Sequence, residues 1–218
     1  MKISAVLFDL DGTLLDTIED LTDAMNAALH ELGFPGHSVG ACKTLVGEGI
    51  EHFAKCALPA DRAEDATAVA RTMDLMRAEY RNRWSRKTSP YDGIPDLLDQ
   101  LHARGLKLAV LSNKADDFTR MMIGHFFPKT EFETVVGARA GRPMKPDPSP
   151  ALEVASTLGV PPAEIIFLGD TKTDMETAGA AGMVPVGALW GFRSAEELLA
   201  SGARYLISRP AELLGFIA

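Results

Sequence analysis

The sequence has little cysteine, no long apolar run and no excess of basic residues. Cys42 and Cys56 are the only cysteines among 218 residues, and neither has the spacing of a zinc site, so we expect free thiols. No apolar stretch approaches the roughly 20 residues of a membrane helix, and no signal-peptide pattern precedes the first apolar run. The net charge of −8 argues against a nucleic-acid partner. We therefore expect a cytoplasmic protein without a nucleic-acid or membrane partner, as a monomer or a homodimer.

Short apolar runs alternate with helical patterns from residue 91 onward, and another apolar run opens the chain. This alternation is typical of βαβ units, which form a parallel sheet covered by helices on both faces. The predicted strands are Ile3–Phe8, Leu106–Leu111, Thr134–Val136, Glu164–Leu168 and Met183–Gly187. We expect an α/β fold with a doubly wound, Rossmann-like core built from residues 1–15 and 87–218.

Residues 16–86 read as helical and contain no convincing strand, which predicts a small α-helical domain inserted after the first strand. Asp16 with Glu19 resembles a capping box and predicts the start of its first helix. Helical spacing further predicts one helix over residues 43–57 and a longer one from Ala63 to Trp84. The insertion is therefore interpreted as a cap over residues 16–86.

Two carboxylates follow the first predicted strand, within the run Asp-Leu-Asp-Gly-Thr at residues 9–13. Because side chains alternate along a strand, Asp9 and Asp11 leave it pointing roughly the same way. Gly12 permits close approach of a ligand to the backbone, and Thr13 offers a hydroxyl group. Adjacent carboxylates repel unless a cation lies between them or one keeps its proton. The cluster therefore suits Mg²⁺ and a phosphoryl group.

Polar residues also follow the later strands, where ligands bind in an open parallel sheet. They are Ser112-Asn113-Lys114, then Lys145 among Pro143, Pro146 and Pro148, and then Asp170 and Asp174 after Gly169. The prolines stiffen the segment that presents Lys145. Lys114 and Lys172 are interpreted as peripheral, and Trp190 with Phe192 as core. The remaining groups should converge on one edge of the sheet.

In order and spacing, Asp9-Leu-Asp-Gly-Thr13, Ser112, Lys145 and Gly169-Asp170 with Asp174 resemble the four motifs of the haloacid dehalogenase-like hydrolases. The resemblance covers essentially the whole chain, and the helical insertion is similar to the α-helical cap of that family. Val46-Gly-Glu-Gly49 and Tyr91-Asp-Gly-Ile94 resemble the phosphoglycolate phosphatase-like subgroup. The resemblance implies an Mg²⁺-dependent hydrolase of a small phosphate monoester, with phosphoglycolate as the first candidate.

The resemblance also implies roles for the residues of the core. Asp9 would be the nucleophile that forms an aspartyl-phosphate, and Asp11 the general acid and then the general base. Asp11 would therefore have to be protonated at the outset. Mg²⁺ would be held by Asp9, the backbone carbonyl of Asp11 and Asp170, and Lys145 would offset charge in the transition state. Asp174 would support Lys145 or the waters of the metal.

Substrate contacts are implied for two further groups of residues. Thr13, Ser112 and Asn113 would hold the phosphoryl oxygens, and Gly47 and Gly49 would form a cap loop close to the substrate. The cap would close over the site, exclude water and select the substrate.

Several other functions remain open at this stage. A pyrophosphatase, a nucleotidase or a phosphomutase would share the two aspartates of the first strand. A phosphonate hydrolase needs a cap lysine at a position that neither Lys43 nor Lys55 matches, and a dehalogenase would lack Asp11. A phosphoacceptor signalling domain is the alternative that is not an enzyme, although such domains are shorter and have no helical cap.

Overall fold

The computed structural model describes residues 2–217, and its larger part is an α/β unit around a parallel sheet. In chain order the strands are β1 (Ala5–Phe8), β2 (Leu15–Asp16), β3 (Ser89–Pro90), β4 (Lys107–Ala115), β5 (Thr134–Ala138), β6 (Ile165–Gly169), β7 (Val184–Ala188) and β8 (Tyr205–Ile207). Six of them form one sheet in the order β5-β4-β1-β6-β7-β8, and β2 pairs with β3. All neighbours in the large sheet run parallel. The predicted fold class is confirmed.

Helices connect these strands and make up most of the inserted segment. They are α1 (Ile18–Glu31), α2 (Val39–Leu45), α3 (Ile50–Ala57), α4 (Ala66–Arg81), α5 (Ile94–Ala103), α6 (Asp116–Phe126), α7 (Ser149–Leu158), α8 (Lys172–Ala180) and α9 (Ala195–Ala200). Short 3₁₀ helices cover Pro162–Glu164 and Pro210–Phe216.

The central strand β1 is buried along its whole length, because every residue from Ala5 to Phe8 is apolar. Phe8 lies opposite Val110 of β4 on one side and Leu168 of β6 on the other. Burying one such large apolar side chain stabilises the fold by about 1.5–3 kcal/mol. The strand is therefore held by packing on both faces and by hydrogen bonds along both edges, which fixes the position of the residues that follow it.

The chain divides into two compact units. One contains the residues up to Leu15 together with those from Pro90 onward, and the other contains Asp16–Ser89. The first unit carries the large sheet, and the second carries α1 to α4. That the second unit acts as a cap stays a prediction.

Several helix boundaries differ from those predicted. The capping box of Asp16 and Glu19 is wrong, because α1 begins at Ile18 after Thr17. Among the described residues, the Asp16 side chain accepts a single long hydrogen bond, 3.5 Å, from the Ile18 amide. The helix predicted over residues 43–57 is interrupted between α2 and α3, where Gly47 and Gly49 take positive φ angles of 132° and 89°.

The third difference lies at the start of α4, which is three residues later than the predicted Ala63. The Asp65 side chain accepts hydrogen bonds from the amides of Thr67 (3.0 Å) and Ala68 (3.2 Å) and so fixes the first turn. The helix ends at Arg81 rather than at Trp84.

Within residues 2–217, none of the helices has the length and apolar character that crossing a membrane requires. The cytoplasmic location stays a prediction. Cys42 is a buried free thiol and Cys56 an exposed one.

Candidate active site

Asp9 continues directly from β1 and is buried. Its amide donates a hydrogen bond to the carbonyl of Leu168 (3.0 Å), which extends the pairing of β1 with β6 by one residue. The chain then turns sharply, since the carbonyl of Leu10 accepts hydrogen bonds from the amides of residues 13–15. Gly12 lies in this turn with a φ of 84°, a conformation that other residues rarely adopt. Local backbone geometry thus fixes the carboxylate at the carboxyl end of the central strand.

Lys145 places its ammonium group between two carboxylates. Nζ lies 2.9 Å from Oδ1 of Asp9 and 2.6 Å from Oδ1 of Asp174, and the lysine side chain is 1% exposed. Asn113 holds the backbone of Lys145, because its Oδ1 accepts from the lysine amide and its Nδ2 donates to the lysine carbonyl, both at 2.9 Å. The site therefore fixes both the backbone and the charged end of this lysine.

Asp174 is held at the start of α8 by a capping box with Thr171. Its Oδ2 accepts from the Thr171 amide (3.0 Å) and hydroxyl (2.6 Å), while its Oδ1 faces Lys145. Both carboxylate oxygens thus have partners. Asp174 thus contacts Lys145, and the supporting role itself stays a prediction.

Asp170 is fully buried and is held from two directions. Its Oδ1 accepts a hydrogen bond from the Thr13 hydroxyl, and its Oδ2 accepts one from the Phe192 amide, both at 2.8 Å. A Cβ atom on Gly12 would lie 2.3 Å from Oδ2 of Asp170, and one on Gly191 would lie 2.3 Å from its Cβ. Glycine at these two positions leaves the space that the carboxylate occupies.

The segment after β7 contacts both Thr13 and Asp170, and the sequence did not predict these contacts. The indole Nε1 of Trp190 donates to the carbonyl of Thr13 (3.0 Å), and the Phe192 amide binds Asp170. The Phe192 side chain is buried, as its interpretation as a core residue required, but its backbone amide holds Asp170. The Trp-Gly-Phe run directly after an apolar strand is the signal that could have pointed to this loop.

The side chains of Asp9, Asp170 and Asp174 form a cluster that fits a divalent cation. Their ligand oxygens lie within 4.8 Å of one another, and all three residues are buried. Oδ1 of Asp9 is buried and, within the described part of the chain, receives the Lys145 ion pair but no well-directed hydrogen bond. A set of carboxylate oxygens suits a hard cation such as Mg²⁺, Mn²⁺ or Ca²⁺.

Burial and mutual repulsion shift the protonation equilibria of this cluster. Burial raises the pKa of Asp9 to about 7, although the neighbouring Lys145 acts in the opposite direction. Burial, followed by the Asp174 and Asp9 carboxylates, raises the pKa of Asp170 well above its ordinary value. Burial alone would lower the pKa of Lys145, but Asp174 and Asp9 raise it above that of an ordinary lysine. Crowded carboxylates of this kind are stabilised by added positive charge.

Asp11 contacts Lys114, whereas Asp9 contacts Lys145. Lys114 places its Nζ 2.9 Å from Oδ1 and 3.0 Å from Oδ2 of Asp11. The lysine therefore belongs to the site, although its sequence position alone suggested the periphery. Both carboxylate oxygens of Asp11 thus contact the ammonium group of Lys114 in this structure. Lys172, in contrast, is exposed and pairs with Glu176 at 3.7 Å.

The predicted substrate-binding residues fall into two groups. Thr13, Ser112 and Asn113 are buried in the same unit as the carboxylates. Each side chain already makes a hydrogen bond within the protein: Thr13 donates to Asp170, Ser112 accepts from the Lys114 amide (3.3 Å), and Asn113 donates to the Lys145 carbonyl. Gly47 and Gly49 lie in the second unit. Contact of all five residues with a substrate stays a prediction.

Comparisons with known proteins agree on one family. A family model described as haloacid dehalogenase-like hydrolase matches residues 6–188. The chain is 34% identical over 184 residues to a phosphoglycolate phosphatase of Thiobacillus denitrificans, covering 84% of this chain and 81% of that one. It is 30% identical over 209 residues to a phosphoglycolate phosphatase of Aquifex aeolicus, covering 96% and 94%.

A solved structure is similar over the whole length of the chain. It is that of a protein from Lactobacillus delbrueckii subsp. bulgaricus with a provisional assignment as a phosphoglycolate phosphatase. The two superpose with a TM-score of 0.91 at 30% identity, and the match covers 100% of this chain and 99% of that one. The predicted resemblance, including its subgroup, is confirmed.

Proposed function

Because the chain belongs to the haloacid dehalogenase-like hydrolase family, we propose that it is a phosphatase that hydrolyses a small phosphate monoester through a phosphorylated Asp9. The observation that carries the proposal is the contact between Asp9 and Lys145, 2.9 Å apart at the carboxyl end of the central strand. A buried carboxylate beside a fixed cation is a suitable nucleophile for an anionic phosphoryl group, because the cation reduces the repulsion between them.

Asp9 attacks phosphorus in line with the leaving oxygen, and the bond between phosphorus and that oxygen breaks. Lys145 stabilises the charge that develops on the phosphoryl oxygens, while its contact with Asp174 keeps the ammonium group in place. Removing a fixed electrostatic group of this kind commonly costs about 10²–10³-fold in turnover.

Asp11 protonates the leaving oxygen and then removes a proton from the water that hydrolyses the aspartyl-phosphate. Lys114 contacts both carboxylate oxygens of Asp11 in this structure, so this ion pair has to open before Asp11 can reach the leaving oxygen.

Asp9 and Asp170 would hold Mg²⁺, together with the backbone carbonyl of Asp11. When bound, the ion offsets the charge between the nucleophile and the phosphoryl oxygens. Thr13 and the Phe192 amide hold the Asp170 carboxylate in place for this purpose.

Phosphoglycolate is the proposed substrate. The support is the similarity to phosphoglycolate phosphatases over most of the chain. Pyrophosphatase, nucleotidase and phosphomutase activities use the same two carboxylates, so the substrate has to be tested directly.

The decisive experiment combines a substrate panel with a nucleophile variant. Purified protein is assayed with Mg²⁺ and with EDTA on phosphoglycolate, pyrophosphate, a nucleoside monophosphate, a sugar phosphate and p-nitrophenyl phosphate. We expect Mg²⁺-dependent release of phosphate with the highest kcat/KM on phosphoglycolate, and no detectable turnover by Asp9→Asn. Acid quenching during turnover, followed by peptide mass spectrometry, should find a phosphoryl group on the peptide that contains Asp9.

Two outcomes would contradict the proposal. Undiminished turnover by Asp9→Asn would show that Asp9 is not the nucleophile. The absence of phosphate release from every ester of the panel would show that the protein is not a phosphatase. Asp147→Asn is the matched control, because Asp147 is exposed and, within residues 2–217, its side chain accepts hydrogen bonds only from Ser149.

A further inference from the structure

The ion pair between Lys114 and Asp11 is bidentate and shielded from solvent. Both oxygens of Asp11 lie within 3.0 Å of the ammonium group. The side chains are only 6% exposed for Lys114 and 13% for Asp11. Because the pair is shielded from solvent and salt, Lys114 can attract strongly a carboxylate that takes the place of Asp11.

The two lysines of the site lie beside different carboxylates. Lys145 contacts Asp9 and Asp174, on the side of the proposed nucleophile. Lys114 contacts Asp11, which in the proposed mechanism faces the leaving oxygen. The ammonium group of Lys114 and the leaving oxygen therefore lie beside the same carboxylate, on the leaving-group side of the site.

We propose that Lys114 determines specificity by binding a carboxylate on the leaving group, so that the protein selects phosphate esters of short hydroxy acids over esters of neutral alcohols. This inference rests on the proposed function. In such an ester the carboxylate is joined to the ester oxygen through a single carbon, so a cation beside Asp11 is within its reach.

The negative charge of the chain and of the site favours a cation at this place. The net charge is −8, and Asp9, Asp11 and Asp170 crowd the same edge of the sheet, so an anionic substituent is repelled. Lys114 offsets this repulsion at the leaving-group side. When the carboxylate of the substrate binds the ammonium group, it replaces Asp11 there, and Asp11 is free to turn toward the ester oxygen.

A simpler role would be that Lys114 only positions Asp11. In that case its removal impairs the transfer of a proton to every leaving group alike. Selection of the substrate predicts instead a loss that depends on the charge of the leaving group. The two roles are therefore distinguished by the ratio of kcat/KM for a charged ester to kcat/KM for a neutral one, and not only by the total loss of activity.

The experiment compares three esters of similar length: phosphoglycolate, 2-hydroxyethyl phosphate and 2-aminoethyl phosphate, which carry a negative, a neutral and a positive substituent. For the wild-type protein we expect kcat/KM to fall in that order. Lys114→Met should lower kcat/KM for phosphoglycolate by about 10- to 100-fold more than for 2-hydroxyethyl phosphate, as expected for a lost charged hydrogen bond. Lys114→Arg should restore part of the preference. Lys172→Met, at an exposed lysine, is the matched control and should leave all three values unchanged.

The outcomes separate this inference from the proposed function. Equal losses on the charged and neutral esters in Lys114→Met, or a wild-type protein without preference among the three, would overturn the inference and leave a phosphatase. The wild-type series needs no variant to fold. A wild-type protein that hydrolyses none of the esters, nor p-nitrophenyl phosphate, would overturn the proposed function itself.

Discussion

The ammonium group of Lys145 lies 2.9 Å from the carboxylate of Asp9 and 2.6 Å from that of Asp174, so one buried lysine joins the residue after β1 to the first turn of α8. Neither of these carboxylates has another cation within salt-bridge distance in the described part of the chain. The stability of the site and its chemistry therefore depend on the same charge.

Replacing Lys145 by methionine should impair both stability and turnover. We expect a loss of about 3–5 kcal/mol in the free energy of unfolding at neutral pH, because two buried carboxylates lose their cation, and a fall of about 10²–10³-fold in kcat. Urea unfolding and steady-state kinetics measure the two effects. Adding Asp174→Asn to the variant should recover part of the stability, and an unchanged urea midpoint in Lys145→Met would contradict the argument.

Asp170 should make the protein less stable as the pH rises when divalent cations are absent. Its folded-state pKa is raised, so its stabilising contribution is fully present below its unfolded pKa of about 3.8 and is lost as the pH rises through the folded value. Asp170→Asn should therefore raise Tm relative to wild type by more at pH 8 than at pH 5, with EDTA present. Mg²⁺ should then raise the Tm of wild type but not that of the variant. Equal differences at the two pH values would refute this interpretation.

Gly191→Ala tests whether the loop after β7 positions Asp170. The new Cβ would lie 2.3 Å from the Cβ of Asp170, so the carboxylate has to move. Disturbing the support of a metal ligand typically lowers affinity about 10- to 100-fold, and we expect a loss of this size in Mg²⁺ binding measured by calorimetry. Gly124→Ala, in α6 with open space around it, is the control and should bind Mg²⁺ as wild type does.

Asp20 should be a major determinant of stability in the second unit. Its Oδ2 accepts hydrogen bonds from the amides of Lys87 and Thr88, both at 2.9 Å, and from the Thr88 hydroxyl at 2.8 Å. Asp20→Ala leaves these donors without that acceptor and should cost about 2–4 kcal/mol, read from the urea midpoint. Asp23→Ala removes an exposed ion pair with Lys87 and should cost less than about 1 kcal/mol. Similar costs for the two variants would contradict this reasoning.

The sheet and most of the candidate site were predictable because they depend on local pattern. Apolar runs mark the strands, and the carboxyl ends of parallel strands meet at one edge, so the sequence alone places Asp9, Lys145 and Asp170 together. The inserted helices were also recognisable, although their ends depended on the Asp65 cap and on the glycines at 47 and 49.

The contacts that the sequence could not predict join distant parts of the chain. Lys114 reaches Asp11 across 103 positions and Trp190 reaches Thr13 across 177. Such contacts follow from the order of strands within the sheet, which periodicity does not encode. The two-residue strands β2 and β3 and the three-residue β8 were too short to produce a recognisable alternation.

The central position of β1 has a consequence for hydrogen exchange. β1 has a neighbouring strand on each side, whereas β5 and β8 lie at the rims. Local opening at an edge of the sheet breaks the hydrogen bonds of the edge strand first and leaves those of the central strands intact. Deuterium should therefore enter β8 through local openings, while the amides of residues 5–9 should exchange only when the whole sheet comes apart, so the proposed nucleophile keeps its place through every smaller fluctuation.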